Sequence, residues 1–166
     1  MDTDARRDVR RARIRLILFM AGLLLSGLTA FPLEWELETL TVWMGIAPGV
    51  SPGELSGLAG WLATVRDGLR DTGRRYSWLA YGTDWLAFAH LILVVLFVGA
   101  VVDPARNLWV ITFGLIACVG VVPLAMICGQ VRGIPFYWRL IDCAFGVLAF
   151  VPLWAARRAA KRVCEH

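Results

Sequence analysis

Residues 85–102 read WLAFAHLILVVLFVGAVV, an apolar run whose one strongly polar side chain is His90. As a helix it spans about 27 Å at ~1.5 Å per residue, close to the ~30 Å hydrocarbon core of a bilayer. It is apolar all round, whereas a membrane-barrel strand would alternate apolar and polar residues. Three further runs of this kind stand at 15–31, 107–128 and 137–156. Together they predict an all-α integral membrane protein: a bundle of four transmembrane helices, with a long segment, 32–83, between the first two.

The composition agrees. Hydrophobic residues make up 58% of the 166, charged residues 18% and the mean hydropathy is +0.64, against about 25% charged in a soluble domain. Disordered, collagen-like and ordinary cytosolic chains are excluded. The net charge of +4 is carried at the ends. Arg6, Arg7, Arg10, Arg11 and Arg13 precede the first run, Arg15 opens it, and Arg157, Arg158, Lys161 and Arg162 follow the last. Four crossings place both ends on one side, and the arginines assign that side to the cytoplasm. Sixteen of the seventeen basic residues are arginine, which with abundant Ala, Gly and Val points to a GC-rich bacterial genome, and segments 1–14 and 157–166 are expected as cytoplasmic basic arms of a bacterial inner-membrane protein. No aromatic residues interleave with the N-terminal arginines, so a nucleic-acid surface has no support. The first run lacks a good small-x-small cleavage site around Leu28-Thr29-Ala30 and reads as a retained helix, not a signal peptide.

The outer segment carries its own pattern. Pro32 can open a helix with Leu33, Leu37, Leu40 and Met44 on one face and Glu34 and Glu38 on another. A short strand is the alternative for Glu34–Glu38. Ala47-Pro48-Gly49 breaks the chain. Ser51-Pro52-Gly53-Glu54 has the form of a capping box, and Leu55, Leu58, Leu62, Val65 and Leu69 continue as an apolar stripe that Gly73 closes. Arg66, Arg70, Asp67 and Asp71 fall on a charged outer face. Two amphipathic helices on the outer membrane surface are expected, with Trp35, Trp43, Trp61, Tyr76, Trp78, Tyr81, Trp85, Tyr137 and Trp138 at headgroup level. Asp103 and Pro104 suit a helix N-terminus, and Gly129, Gly133 and Pro135 suit the last turn. Small residues at four-residue spacing mark helix contacts: Gly22, Ser26 and Ala30; Gly114 and Cys118; Gly146. Pro123 is expected to kink the third run.

Charged side chains within a span cost roughly 2.5–3.5 kcal/mol each at mid-bilayer, so Asp84, His90, Arg139 and Asp142 stand out. His90 lies about 9 Å inward of Asp84, and Asp142 about 7 Å inward of Tyr137. Both fall in the outer leaflet, with Arg132 and Asp84 at the rim. Two readings follow. In one, Arg139 and His90 pair with Asp142 and the network fixes helix register. In the other the cluster is a site: His90 and Asp142 form a catalytic general acid/base pair, and Asp84, Arg132 and Arg139 bind an anionic lipid or small acid.

No metal site or cofactor is assigned. His90 is the only histidine in a span, which leaves a bis-histidine haem unsupported within one chain. Cys118, Cys128, Cys143 and Cys164 form no metal-binding spacing, and no zinc or phosphate-loop motif appears. Ser77 is the nearest serine for a Ser-His-Asp arrangement and lies outside the span. Four helices without a repeat are small for a transporter.

The stretches Tyr81-Gly82-Thr83-Asp84-Trp85-Leu86-Ala87-Phe88-Ala89-His90, Asp103-Pro104-Ala105-Arg106-Asn107, Arg132-Gly133-Ile134-Pro135 and Trp138-Arg139-Leu140-Ile141-Asp142-Cys143 resemble an uncharacterised family of small bacterial multi-pass membrane proteins. The resemblance covers about the C-terminal half. It implies a bacterial membrane location and attaches no reaction or ligand. The expected role is a non-catalytic accessory or assembly subunit whose partners are the lipid bilayer and another membrane protein or a second copy of itself. The alternative is a membrane-embedded enzyme or binding protein.

Overall fold

The computed structural model describes residues 3–47 and 50–164. Six α-helices account for most of them: α1 (Thr3–Ala30), α2 (Leu33–Trp43), α3 (Gly57–Arg75), α4 (Ala80–Val102), α5 (Leu108–Val131) and α6 (Phe136–Cys164). There is no strand among the described residues, which removes the strand alternative for Glu34–Glu38. α1, α4, α5 and α6 are long and apolar enough to cross a membrane. Only 17% of each spanning window is buried. Most of the apolar side chains on these helices therefore face outward, a surface that suits lipid tails and not water. The helices outrun the apolar runs: the basic segments beside the first and fourth runs are themselves helical, to Thr3 and to Cys164.

The chain forms two compact units, Met1–Leu23 with Leu93–His166, and Leu24–Ile92. In the first, α5 and α6 run antiparallel. Gly114 faces Leu153, Gly146 faces the Cys118 carbonyl, and Gly129 faces Arg139, so positions descend on one helix as they climb on the other. The link between them is a Schellman turn: Ile134 N–H donates to the Gly129 carbonyl and Gly133 N–H to that of Gln130, with Gly133 at φ +69°. Gly129 thus belongs to the helix and not to the turn. Leu16, Phe97, Ile111 and Leu153 are fully buried in one cluster, one from each of α1, α4, α5 and α6. The middle of α1, the first turns of α5 and the later turns of α4 and α6 therefore meet toward the C-terminal end of α4. Arg13 caps that end of α4, its Nε and Nη2 donating to the Val101 and Val102 carbonyls at 2.9 and 2.7 Å. Asp103 does not cap α5 as the sequence suggests. It closes the turn before it, accepting Arg106 N–H at 3.1 Å, while Asn107 Nδ2 ties the turn to the carbonyls of Gly99 and Asp103.

In the second unit α2 and α3 form a hairpin. α2 ends in the same Schellman turn, with Gly45 at φ +74° and Ile46 N–H on the Thr41 carbonyl. The capping-box expectation is corrected: residues 52–54 form a separate 3₁₀ turn, Ser51 makes no side-chain cap, and α3 starts at Gly57. Gly73 lies inside α3, which runs on to Arg75. The expected break at Pro48-Gly49 lies outside the described residues. The α2 face turned to α3 carries Glu38 and Thr41, whereas Leu40 and Met44 are exposed. Arg66, expected outside, is 5% exposed; it donates to Asp67 at 2.8 Å and lies 3.4 Å from the Thr41 hydroxyl. Arg70 pairs with Glu38. α1 approaches α4 through Gly27, where a Cβ would stand 2.9 Å from His90 Cβ; Gly22, expected at a contact, has nothing near it.

Candidate functional site

The polar residues picked out on the last two spanning helices gather at the linked ends of α5 and α6. Gly129 makes this close packing feasible. A Cβ there would stand 2.8 Å from both Cγ and Cδ of Arg139, so the arginine stem lies directly on the α5 backbone. Its head closes over the link: Nε donates to the Ile134 carbonyl at 2.8 Å and Nη1 to Gln130 Oε1 at 2.6 Å. The guanidinium also sits 5.9 Å from the centre of the Phe136 ring. Arg139 is therefore a clamp on the turn, and the expected pair with Asp142 is replaced by these contacts. Gln130 was not singled out from sequence. Its signal is weak, a lone amide at a helix end.

Beneath the clamp is an open cleft of about 320 Å³ between α5 and α6. Val121, Leu124, Ala125 and Cys128 line it from α5, Ile134 from the link and Asp142 from α6, with Arg132 at the turn. Asp142 is half-buried and Arg132 exposed. Among the described residues neither side chain has a hydrogen-bond or ion-pair partner. Cys128 is a free, exposed thiol; Cys118 and Cys143 are free and buried.

His90 and Asp84 lie on α4 in the other unit. His90 is held at both ends of its side chain: Cβ against Gly27, and Nδ1 2.7 Å from the Leu86 carbonyl of its own helix. A carbonyl can only accept, so Nδ1 carries the hydrogen. In the neutral ring Nε2 is then an acceptor with no hydrogen to give a carboxylate.

The second candidate surface is the hairpin. Three of its charge pairs point inward or run along the helix, Arg70–Glu38, Arg66–Asp67 and Arg75–Asp71. The side of α2 away from α3 presents Trp35, 65% exposed, and Trp43, 83% exposed. The chain then enters α4 through Tyr76, Trp78, Tyr81 and Trp85, all exposed.

Comparison of the chain with protein-family models, with curated proteins and with solved structures finds no match.

Proposed function

We propose that this chain is a non-catalytic multi-pass protein of the bacterial inner membrane, an accessory or assembly subunit whose α2–α3 hairpin lies in the outer lipid interface. The observation that carries this is the division of labour within the hairpin. An amphipathic helix on water turns its charges out and its apolar residues in. Here Arg66, Glu38 and Arg70 lie on the side of the helix contact, where Leu62 and Ala63 are also buried, and Trp35, Val42 and Trp43 face away. Indole rings bare to this degree belong at the headgroup level, where the ring is shielded and the N–H stays wet. Four spanning helices with outward apolar faces support the membrane location. The gathering of Arg11, Arg106, Arg158 and Lys161 at one end of the first unit supports cytoplasmic termini, with the α5–α6 link outside. The fixed tautomer of His90 gives no support to a His90–Asp142 acid/base pair.

The test is depth measurement by spin label. Trp35→Cys and Trp43→Cys, each in a chain otherwise free of cysteine, are labelled in vesicles containing phosphatidylglycerol. Oxygen should relax both labels more strongly than a water-soluble nickel chelate does. Relaxation by the chelate as strong as at a label placed on Asp71→Cys, on the polar side of α3, would overturn the interfacial placement.

A further inference from the structure

We infer that the α5–α6 cleft binds a single-chain anionic glycerolipid, a lysophospholipid, with its phosphate on Arg132, its free glycerol hydroxyl on Asp142 and its acyl chain against Val121 and Leu124.

The order of chemistry along the cleft selects this ligand. Arg132 stands at the turn, where α5 ends. Asp142 is six residues into α6, about 9 Å deeper at ~1.5 Å per residue. Beyond it the lining is aliphatic, and Val121 lies about 15 Å from the end of α5 by the same rise. From mouth to floor the sequence is cation, acceptor, hydrocarbon. A lysophospholipid presents the complement in the same order: anion, hydroxyl donor, chain. A diacyl lipid has that hydroxyl esterified and offers Asp142 only further acceptors. A phosphatidylethanolamine-type head is reversed, with its ammonium outermost, against Arg132.

Two further observations favour a ligand here. A carboxylate at this depth without a partner is costly, and buried polar groups are normally satisfied. Asp142 has no partner among the described residues, although Arg139 is only one turn away; the clamp on Gln130 and Ile134 uses that guanidinium elsewhere. The cleft, at about 320 Å³, lies at the lower end of the roughly 300–1,000 Å³ typical of small-ligand sites, which suits one chain better than two. The assignment rests on the membrane reading above, but not on where the hairpin lies.

The experiment titrates 1-oleoyl lysophosphatidic acid and dioleoyl phosphatidic acid into the full chain in non-ionic detergent and counts bound lipid by native mass spectrometry. The lysolipid should bind about tenfold more tightly, the scale of one hydrogen bond to a charged acceptor. Asp142→Leu should erase that preference by weakening the lysolipid relative to the diacyl lipid. Arg132→Gln should weaken both lipids about tenfold and keep the preference. Arg132 is exposed and makes no side-chain hydrogen bond or ion pair among the described residues, so that variant tests the site even if Asp142→Leu misfolds. Glycerol 3-phosphate, which has the polar groups without the chain, should not compete. Equal binding of the two lipids, a preference that survives Asp142→Leu, or competition by glycerol 3-phosphate at matched concentration would each overturn the assignment. Failure of the spin-label test would leave these results intact, so the two proposals fail separately.

Discussion

Arg139 occupies the space that a side chain at Gly129 would need: Cγ and Cδ of the arginine stand 2.8 Å from where a Cβ at 129 would be. A clash with a flexible stem can be relieved, but only by lifting the guanidinium off Ile134 and Gln130. Gly129→Ala should therefore cost about 1–3 kcal/mol, the range for overpacking a tight contact. Arg139→Gln should cost less, since it loses the bonds without the clash. Thermal unfolding of both variants in one detergent checks the order. A Gly129→Ala protein as stable as the parent would mean that the clamp contributes nothing.

The same contact at Gly146 has no such relief. Its missing Cβ would meet the Cys118 carbonyl oxygen at 2.6 Å, and backbone in the middle of α5 cannot swing aside. Gly146→Ala should therefore be more damaging than Gly129→Ala. Gly114→Ala should fall between them, because the atoms it meets are the ends of Phe97 and Leu153. Lipid-facing helices associate by such close packing and not by hydrophobic burial, so the series should follow backbone proximity. A Gly146→Ala protein that melts no lower than Gly129→Ala would show that backbone contact does not set the packing.

Much of this was legible in the sequence, for identifiable reasons. Four helices long and apolar enough to cross a membrane could be read because a hydrocarbon core demands all-round apolarity over about 20 residues, and a water-facing helix does not tolerate it. Gly114 and Gly146 were legible because small residues inside a span usually mark a contact. Gly27 was missed because the i, i+4 series through Gly22 and Ser26 lies on the neighbouring face, and periodicity cannot say which stripe finds a partner. The hairpin was turned over for a similar reason. Leu40 and Met44 look like core and Arg66 like surface by periodicity alone, whereas the contact with α3 turns Glu38 and Thr41 inward and buries Arg66. The sequence signal for it is Glu38 on one helix and Arg70 on the other, opposite charges that pair across the hairpin. Arg132, Arg139 and Asp142 were found through the cost of charge in a span. Their contacts depend on the Gly133 turn, whose geometry no spacing rule supplies.

The hairpin pairing makes a charge-swap prediction. Arg70→Glu places a carboxylate beside Glu38 and should loosen α3 from α2 by about 1 kcal/mol, given that both groups are partly exposed. Glu38→Arg alone should do the same. The double variant Glu38→Arg with Arg70→Glu should recover most of the loss, as a coupled pair must. Hydrogen exchange over residues 57–75 is the readout, because local opening of α3 need not change the global melting point. If the double variant exchanges as fast as the sum of the two single variants, the pair is not an interaction that holds the hairpin.

Arg13 offers the last test, of how the basic end is built. Its two bonds to Val101 and Val102 satisfy carbonyls at the C-terminus of α4, where the helix dipole also favours a cation. Arg13→Gln removes the charge and the fork and should cost about 1 kcal/mol. Arg13→Lys keeps the charge but offers a point donor in place of two aligned ones, so it should recover only part. Arg11→Gln is the control: Arg11 is exposed on the same helix and its one ion pair, with Asp8, is long at 3.8 Å. Insertion topology depends on charge count near the span and would respond alike to the loss of either arginine. Stability in detergent should respond only to Arg13. Equal melting temperatures for Arg13→Gln and Arg11→Gln would reduce Arg13 to one more charge in the basic arm.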